Sequence, residues 1–376
     1  MVRIIFAVIV LIHGLIHLMG FVNQWNIKKI SQFTGVTLFP VSESLSKILG
    51  IVWLITALLF VIAATGFSFG KDWWSVIGIV AIIISQLLII IYWKDAKAGT
   101  IANSIIFITA IAAFGIYSFD KKINENVELM FSKLTNVDKR IVTKEMVSVL
   151  PPIVQKFMER SGIIGRPFVN SVRLKQKAIM RAKPDGNWMD VEAVQYFRVN
   201  EPAFVYKIKV NAAPSLIMTG MDKYESGNGN MLIKMMGLYT IGDSKGEEIN
   251  RGTLIRFHSE TLWFPSAVFS DYLKWEEIDE HTAKGTMTYS GITESAIFTF
   301  TNEGDVKKIE AERYGEFDGK YSKEKWCVIN TSYKEFDGIR IGNNCEVTWG
   351  LKEGDFTWLK LEIKDIEYNK PFIYHE

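Results

Sequence analysis

Residues 251–264 read RGTLIRFHSETLWF, and Pro265 closes the run. Leu254, Ile255, Phe257, Leu262, Trp263 and Phe264 recur at helical spacing. They are too many for one narrow stripe, so the helix they predict is buried on more than one side. It is expected over Glu247 to Leu262, capped by Asp243 or Ser244. A helix set inside a series of strands packs on one face of the sheet they form. Here it is expected in the concave mouth of a curved one.

Strand patterning surrounds it. From Val169 to Tyr368 the period is two: Val172, Leu174, Ala178 and Met180 alternate with Arg173, Lys175, Lys177 and Arg181. Phe204, Tyr206, Ile208 and Val210 alternate with Val205, Lys207 and Lys209. Turn signals stand at Asp185-Gly186, Gly227-Asn228-Gly229, Glu303-Gly304, Asp318-Gly319, Asp337-Gly338 and Glu353-Gly354. They predict a meander of about ten or eleven antiparallel strands curling into a half-barrel. No βαβ alternation of a nucleotide-binding fold is present.

A chain of 376 residues is long for one core. Its apolar excess lies wholly in residues 1–119, and ordinary globular composition begins at Asp120. Four segments there are long enough to cross a bilayer as helices, which takes about 20 residues. They run from Ile4 to Val22, Ile48 to Phe67, Trp73 to Trp93 and Thr100 to Phe119. Trp25, Trp73, Trp74, Tyr92, Trp93 and Tyr117 sit near their ends as an aromatic belt. The first is no plain signal peptide, since it lacks a small-residue cleavage site and three further spans follow. Arg3, Lys71, Lys121, Lys122 and Lys133 lie on one side; Lys28, Lys29, Lys47, Lys94 and Lys97 lie on the other. This balance gives no orientation.

His13 and His17 are four apart on one helical face, within hydrocarbon depth. They fit a metal, haem or head-group site, or two neutral imidazoles hydrogen-bonded inside the bundle, with Gln86 a partner. No Cys, Asp or further His lies within the spans to complete a coordination shell, so the second reading is preferred and no metal is expected. Asn103 is expected to cap the fourth helix. Residues 120–165 form a helical linker and collar: Val127, Met130, Phe131 and Leu134 make a stripe, and Pro151-Pro152 opens a short helix that Gly162 ends. The half-barrel domain spans residues 166–376, with the inserted helix at 247–264.

The net charge of +2, with Lys and Arg interleaved among Asp and Glu, excludes nucleic acid as a partner. The two cysteines, Cys327 and Cys345, flank a hairpin turning at Asp337-Gly338 that pairs Cys327 with Thr348 and Cys345 with Asn330. Three residues out of register, at ~3.3 Å each, the sulfurs are roughly 10 Å apart and do not bridge.

Arg256 and Glu260 form an i, i+4 pair with His258 on another face. One reading makes Glu260 a general base, His258 its assistant and Arg256 the holder of an anion. The other is a helix ion pair. No Gly-x-Ser-x-Gly, His-Glu-x-x-His, phosphate loop or zinc spacing is present. His281 and His375 are expected at the surface, and Asp271, Glu276, Glu277, Asp279 and Glu280 on a solvated strand edge.

The stretches LPPIVQKFMERSGIIGRP and VRLKQKAIMR, the strand Gln195-Tyr196-Phe197, the run Glu247 to Pro265 and the hairpin Trp326 to Trp349 together carry a resemblance. Tyr333, Asp337-Gly338 and Glu346-Val347 belong to that hairpin, and HGLIHLMGF and DAKAGTIAN match the membrane half. The chain resembles a bacterial family of membrane-anchored proteins catalogued as a domain of unknown function, DUF6544, formerly DUF6920. It departs at Gly342-Asn343, where the family has Pro-Thr. The resemblance implies no activity; its sheet-with-helix pattern looks like the half-barrel of LolA-type lipoprotein and lipid carriers.

These readings lead to a non-enzymatic binder or carrier of a lipid or other lipophile, without cofactor, held in a bacterial cytoplasmic membrane with its half-barrel extracytoplasmic. Arg256, Glu260, Trp263, Phe264, Phe257, Tyr196 and Tyr206 are the expected ligand-binding residues. The alternatives are an enzyme using Glu260 and His258, and a scaffold for another membrane protein.

Overall fold

The computed structural model describes residues 2–213, 216–317 and 319–374. Asp318 and His375, assigned from sequence to a turn and to the surface, lie outside the described residues. Two compact units meet in sequence between Phe119 and Asp120.

The first unit is helical: α1 (Val2–Gln24), α2 (Glu43–Ser68), α3 (Trp74–Ile91), the short α4 (Trp93–Ala96) and α5 (Gly99–Ser132). Four of these helices are long and apolar enough to cross a membrane. Ile12, Leu58, Leu87 and Ile108 face outward, whereas Val10, Phe60, Ala81 and Ala110 close the interior. Small residues permit the close approach: a Cβ added at Gly20 would lie 2.4 Å from the Trp53 indole.

The polar groups of these four helices find one another. His13 Nε2 pairs with Asn103 Oδ1 at 2.9 Å, and His17 Nε2 with Ser85 Oγ at 2.8 Å. His17 Nδ1 lies 2.8 Å from the carbonyl oxygen of His13, which only accepts, so His17 carries its proton on Nδ1. Asn103 Nδ2 donates to Gln86 Oε1 at 3.1 Å. Gln86 therefore reaches the histidines through Asn103. The expectation that Asn103 caps a helix is corrected: α5 begins at Gly99, which places Asn103 inside it. The same helix runs past Phe119 to Ser132, so the Val127, Met130, Phe131 stripe is its continuation.

In the second unit α6 (Lys144–Val147) and α7 (Pro152–Arg160) lead into the sheet. Strands β1 (Ser171–Met180), β2 (Met189–Arg198), β3 (Ala203–Ala213), β4 (Leu216–Glu225), β5 (Asn228–Met235) and β6 (Tyr239–Ser244) precede α8 (Glu247–Glu260). Strands β7 (Leu273–Asp279), β8 (Thr282–Tyr289), β9 (Ile292–Phe300) and β10 (Val306–Phe317) follow it. β11 (Lys320–Phe336), β12 (Ile339–Leu351) and β13 (Gly354–Tyr368) complete the set. Among the described residues, thirteen strands form one antiparallel half-barrel in the order β6-β5-β4-β3-β2-β1-β13-β12-β11-β10-β9-β8-β7. The expected count was short because some tight turns lack an Asp-Gly or Glu-Gly signal. Ser290-Gly291, at φ 51° and 78°, is such a turn, with the two positive φ values of a type I′ hairpin.

The first strand pairs with the last, so the open edges β6 and β7 are consecutive in the chain. What joins them must cross the mouth of the half-barrel, and α8 does so. It packs on β4 and β5 at one flank and on β8, β9 and β10 at the other. Its helical hydrogen bonds end at Glu260, before two 3-10 turns, Thr261–Trp263 and Pro265–Phe269. Gly246, at φ 116°, precedes it, and neither Asp243 nor Ser244 caps it. Asn230 Nδ2 instead donates to Asp243 Oδ1 at 2.8 Å and to the Ser244 carbonyl at 3.2 Å.

Leu254, Ile255, Phe257 and Phe264 join Phe157, Val172, Leu174, Phe197, Phe204 and Phe298 in one core. Each side chain so buried contributes about 1.5–3 kcal/mol. Cys327 faces Thr348 and Cys345 faces Asn330 across the hairpin, as expected, and both thiols are free and buried.

Candidate functional site

Period two distributes the strand residues over the two faces of the sheet, and the register aligns them into rows. On the face that carries α8, the row beneath the helix runs Met231, Asp222, Tyr206, Gln195, Leu174. The next runs Ile233, Gly220, Ile208, Ala193, Gln176. A third runs Met235, Met218, Val210, Val191, Ala178, Leu361. In these two outer rows Ile208, Ile233, Met218, Met235, Ala178 and Leu361 keep part of their surface exposed. An apolar floor therefore continues beyond α8, open to solvent.

The α8 flank above the first row carries Gly252, Arg256 and Glu260, spaced four apart. Arg256 Nη1 donates to Asp222 Oδ2 at 2.5 Å, and its Nε donates to Glu260 Oε1 at 2.8 Å. Gln195 Nε2 donates to Glu260 Oε2 at 2.8 Å. The guanidinium also lies 4.3 Å from the centre of the Tyr206 ring. The side chains of Arg256, Asp222 and Glu260 nevertheless remain 18%, 14% and 10% exposed. The three charges are therefore not wholly shut off from solvent.

Burial opposes charge on Arg256, yet the Glu260 and Asp222 carboxylates outweigh it and hold the guanidinium above its ordinary range. Burial pushes Glu260 above the usual carboxylate range against the pull of Arg256. Burial also raises Tyr206 to about 12.

A second arginine, which the sequence reading missed, bonds the same helix. Arg313 of β10 donates from Nε to the Gly252 carbonyl at 3.0 Å, and its guanidinium lies 5.1 Å from the Trp326 ring centre. It stands in phase with Ile309 and Ala311, both buried, while Glu310 and Glu312 alternate to the other face. A charged residue in phase with the apolar positions was the available signal.

The other candidates separate. His258 is fully buried on a different face of α8, its ring centre 5.2 Å from that of Phe298, with no hydrogen-bond partner at either nitrogen among the described residues. Burial lowers it to about 3, and the hydrogen bonds of Glu260 go to Arg256 and Gln195 rather than to this ring. Phe257, Phe264 and Trp263 are core residues rather than a wall open to a ligand. Tyr196 is corrected: with Gln195 and Phe197 turned to the helix side, alternation turns Tyr196 outward against Phe131 and Tyr374. Tyr206 alone of the two tyrosines faces α8. At the third row a depression is lined by Ala178, Val191 and Leu361 together with Lys177, Glu192 and Lys360, the last paired to Glu346 at 2.8 Å. Among the described residues no group of three or more His, Cys, Asp or Glu is placed to hold a metal.

No curated protein matches the chain. Among solved structures it is similar to a LolA superfamily protein from Nitrosomonas europaea, at 13% identity and TM-score 0.35, over 58% of this chain and 94% of that one. It is also similar to a domain described as outer membrane lipoprotein-sorting from Vibrio parahaemolyticus, at 9% identity and TM-score 0.35, over 58% and 91%. A DUF1329 family protein from Desulfovibrio piger aligns at 8% identity and TM-score 0.35 over the same shares, 58% and 91%. Residues 148–368 match the model of a family of unknown function, and the chain belongs to that family, DUF6920.

Proposed function

We propose that this protein binds a lipophilic molecule in the open trough of its half-barrel, anchored in a membrane by its apolar helices, and catalyses no reaction on it. One observation carries the reading: the two outer rows, with Ile208, Ile233, Met218, Met235, Ala178 and Leu361, form a partly exposed apolar floor beside the Arg256 and Glu260 flank of α8. Leaving such surface open costs roughly 25 cal/mol per Å², which an acyl chain or similar tail recovers by covering it. The cargo lies over those rows, not under Trp263, where the core is closed.

Native mass spectrometry of the detergent-purified protein tests this. Bound lipophile is expected on the wild type and lost in Ala178→Trp, which fills the floor. Equal lipid on both proteins at one site would refute the placement.

A second reading, acid–base chemistry on the bound molecule, draws on Glu260 alone, whose carboxyl is pushed above its usual range by burial while its side chain keeps some exposure. It requires that Glu260→Gln stop conversion of bound lipid while leaving its binding intact; unaltered lipid recovered from the wild type after long incubation rules it out.

A further inference from the structure

We propose that Arg313, rather than Arg256, receives the acidic head of an anionic amphiphile, an alkyl carboxylate or alkyl phosphate, whose tail lies on the apolar floor. This rests on the lipophile-binding reading and adds the head-group chemistry and the residue that recognises it.

Arg256 is already compensated, since Asp222 and Glu260 both bind its guanidinium. Arg313 is not. Among the described residues no carboxylate lies within ion-pair distance of it, and its one hydrogen bond goes to the Gly252 carbonyl. The nearby Glu310 pairs with Lys308 and Lys325 at 2.8 and 2.9 Å on the other face. The Arg313 guanidinium lies over Trp326 and Trp349, 5.1 and 5.5 Å from their ring centres, and among the described residues its other N–H groups have no hydrogen-bond partner. Trp326 is only 4% exposed, and its Nε1 has no hydrogen-bond partner among the described residues. Two such donors on one wall match an anionic oxygen acceptor. A neutral lipid would leave the cation buried and uncompensated beneath it, which is costly. Burial, reinforced by the charge of Arg256, lowers Arg313 to about 10, and the Asp222 and Glu260 carboxylates, which are bonded to Arg256, offset this only in part.

The test uses the full chain in detergent with a brominated long-chain fatty acid, the matching alkyl phosphate and the matching alcohol, read by quenching of tryptophan fluorescence. The wild type is expected to bind the acids at least about tenfold more tightly than the alcohol. Arg313→Gln brings the acids to the alcohol's affinity without changing the latter, and Arg313→Lys retains a preference. Trp326→Phe, which removes only the indole N–H, weakens the preference and serves if Arg313→Gln loses its near-UV circular dichroism. Tighter binding of the phosphate than the carboxylate points to a phospholipid, the reverse to a free fatty acid. Equal affinity of the wild type for acids and alcohol, or an unchanged preference in folded Arg313→Gln, overturns the head-group assignment alone. Binding of none of the three overturns the lipophile reading with it.

Discussion

Arg313 Nε donates to the carbonyl of Gly252 at 3.0 Å, tying β10 to the helix that crosses from one sheet edge to the other. One helical turn on, Arg256 bonds Asp222 of β4 at 2.5 Å. The two arginines thus hold α8 from opposite flanks of the mouth, one through a backbone carbonyl and the other through a carboxylate.

Removing one carboxylate should expose that clamp. Asp222→Ala is expected to lower stability by about 1–3 kcal/mol, less than for an isolated buried pair because Glu260 remains beside Arg256. In thermal unfolding of the detergent-solubilised protein, Asp222→Ala combined with Arg256→Ala should cost less than the sum of the single changes. Strict additivity would mean that the 2.5 Å contact carries no coupling.

His258 predicts an acid-limb effect. Its folded pKa, lowered by burial to about 3, lies below the ordinary 6.5, so the neutral ring is the form that folding prefers. The corresponding stability is complete above about pH 6.5 and is lost as pH falls toward about 3. His258→Phe should flatten unfolding free energy against pH in that window. Parallel curves for the two proteins would contradict the burial of a neutral ring.

In the helical unit, Asn103 links His13, Ser85 and Gln86. Asn103→Leu takes a partner from each of the three, leaving His13 Nε2 with none, and is expected to cost about 1–2 kcal/mol, whereas Thr109→Ala, which loses only a bond to its own helix, should cost less. Thermal unfolding in one detergent compares the two, and an equal shift would show that the network contributes nothing.

The buried, unlinked thiols give a chemical check. Cys327 and Cys345 should resist maleimide in the native protein, react fully in denaturant, and leave melting unchanged by reductant. A reductant-dependent melting temperature would require a disulfide that the register forbids.

Much of this architecture was readable from side-chain period. The 3.6 period of residues 251–264 against the flanking period of two marked a helix among strands, and the Asp337-Gly338 turn put Cys327 opposite Thr348. What escaped depended on non-local facts. The pairing of β1 with β13 makes β6 and β7 the edges, and no local pattern records it. Tyr196 was placed by its chemistry although its phase opposes that of Gln195, and Arg313 was passed over although its phase matches Ala311. Asn103 follows a stretch that reads as a polar loop and so looks like a cap, yet the helix has already begun at Gly99.

The central claim is that cargo lies on the apolar floor beside α8. Photocrosslinking a diazirine-bearing fatty acid to the full-length protein in detergent, followed by peptide mapping, tests it most directly. Adducts are expected on the strands that carry Ala178, Ile208 and Ile233, and they should fall sharply in Ala178→Trp. Adducts confined to residues 2–119, unaffected by that substitution, would contradict it.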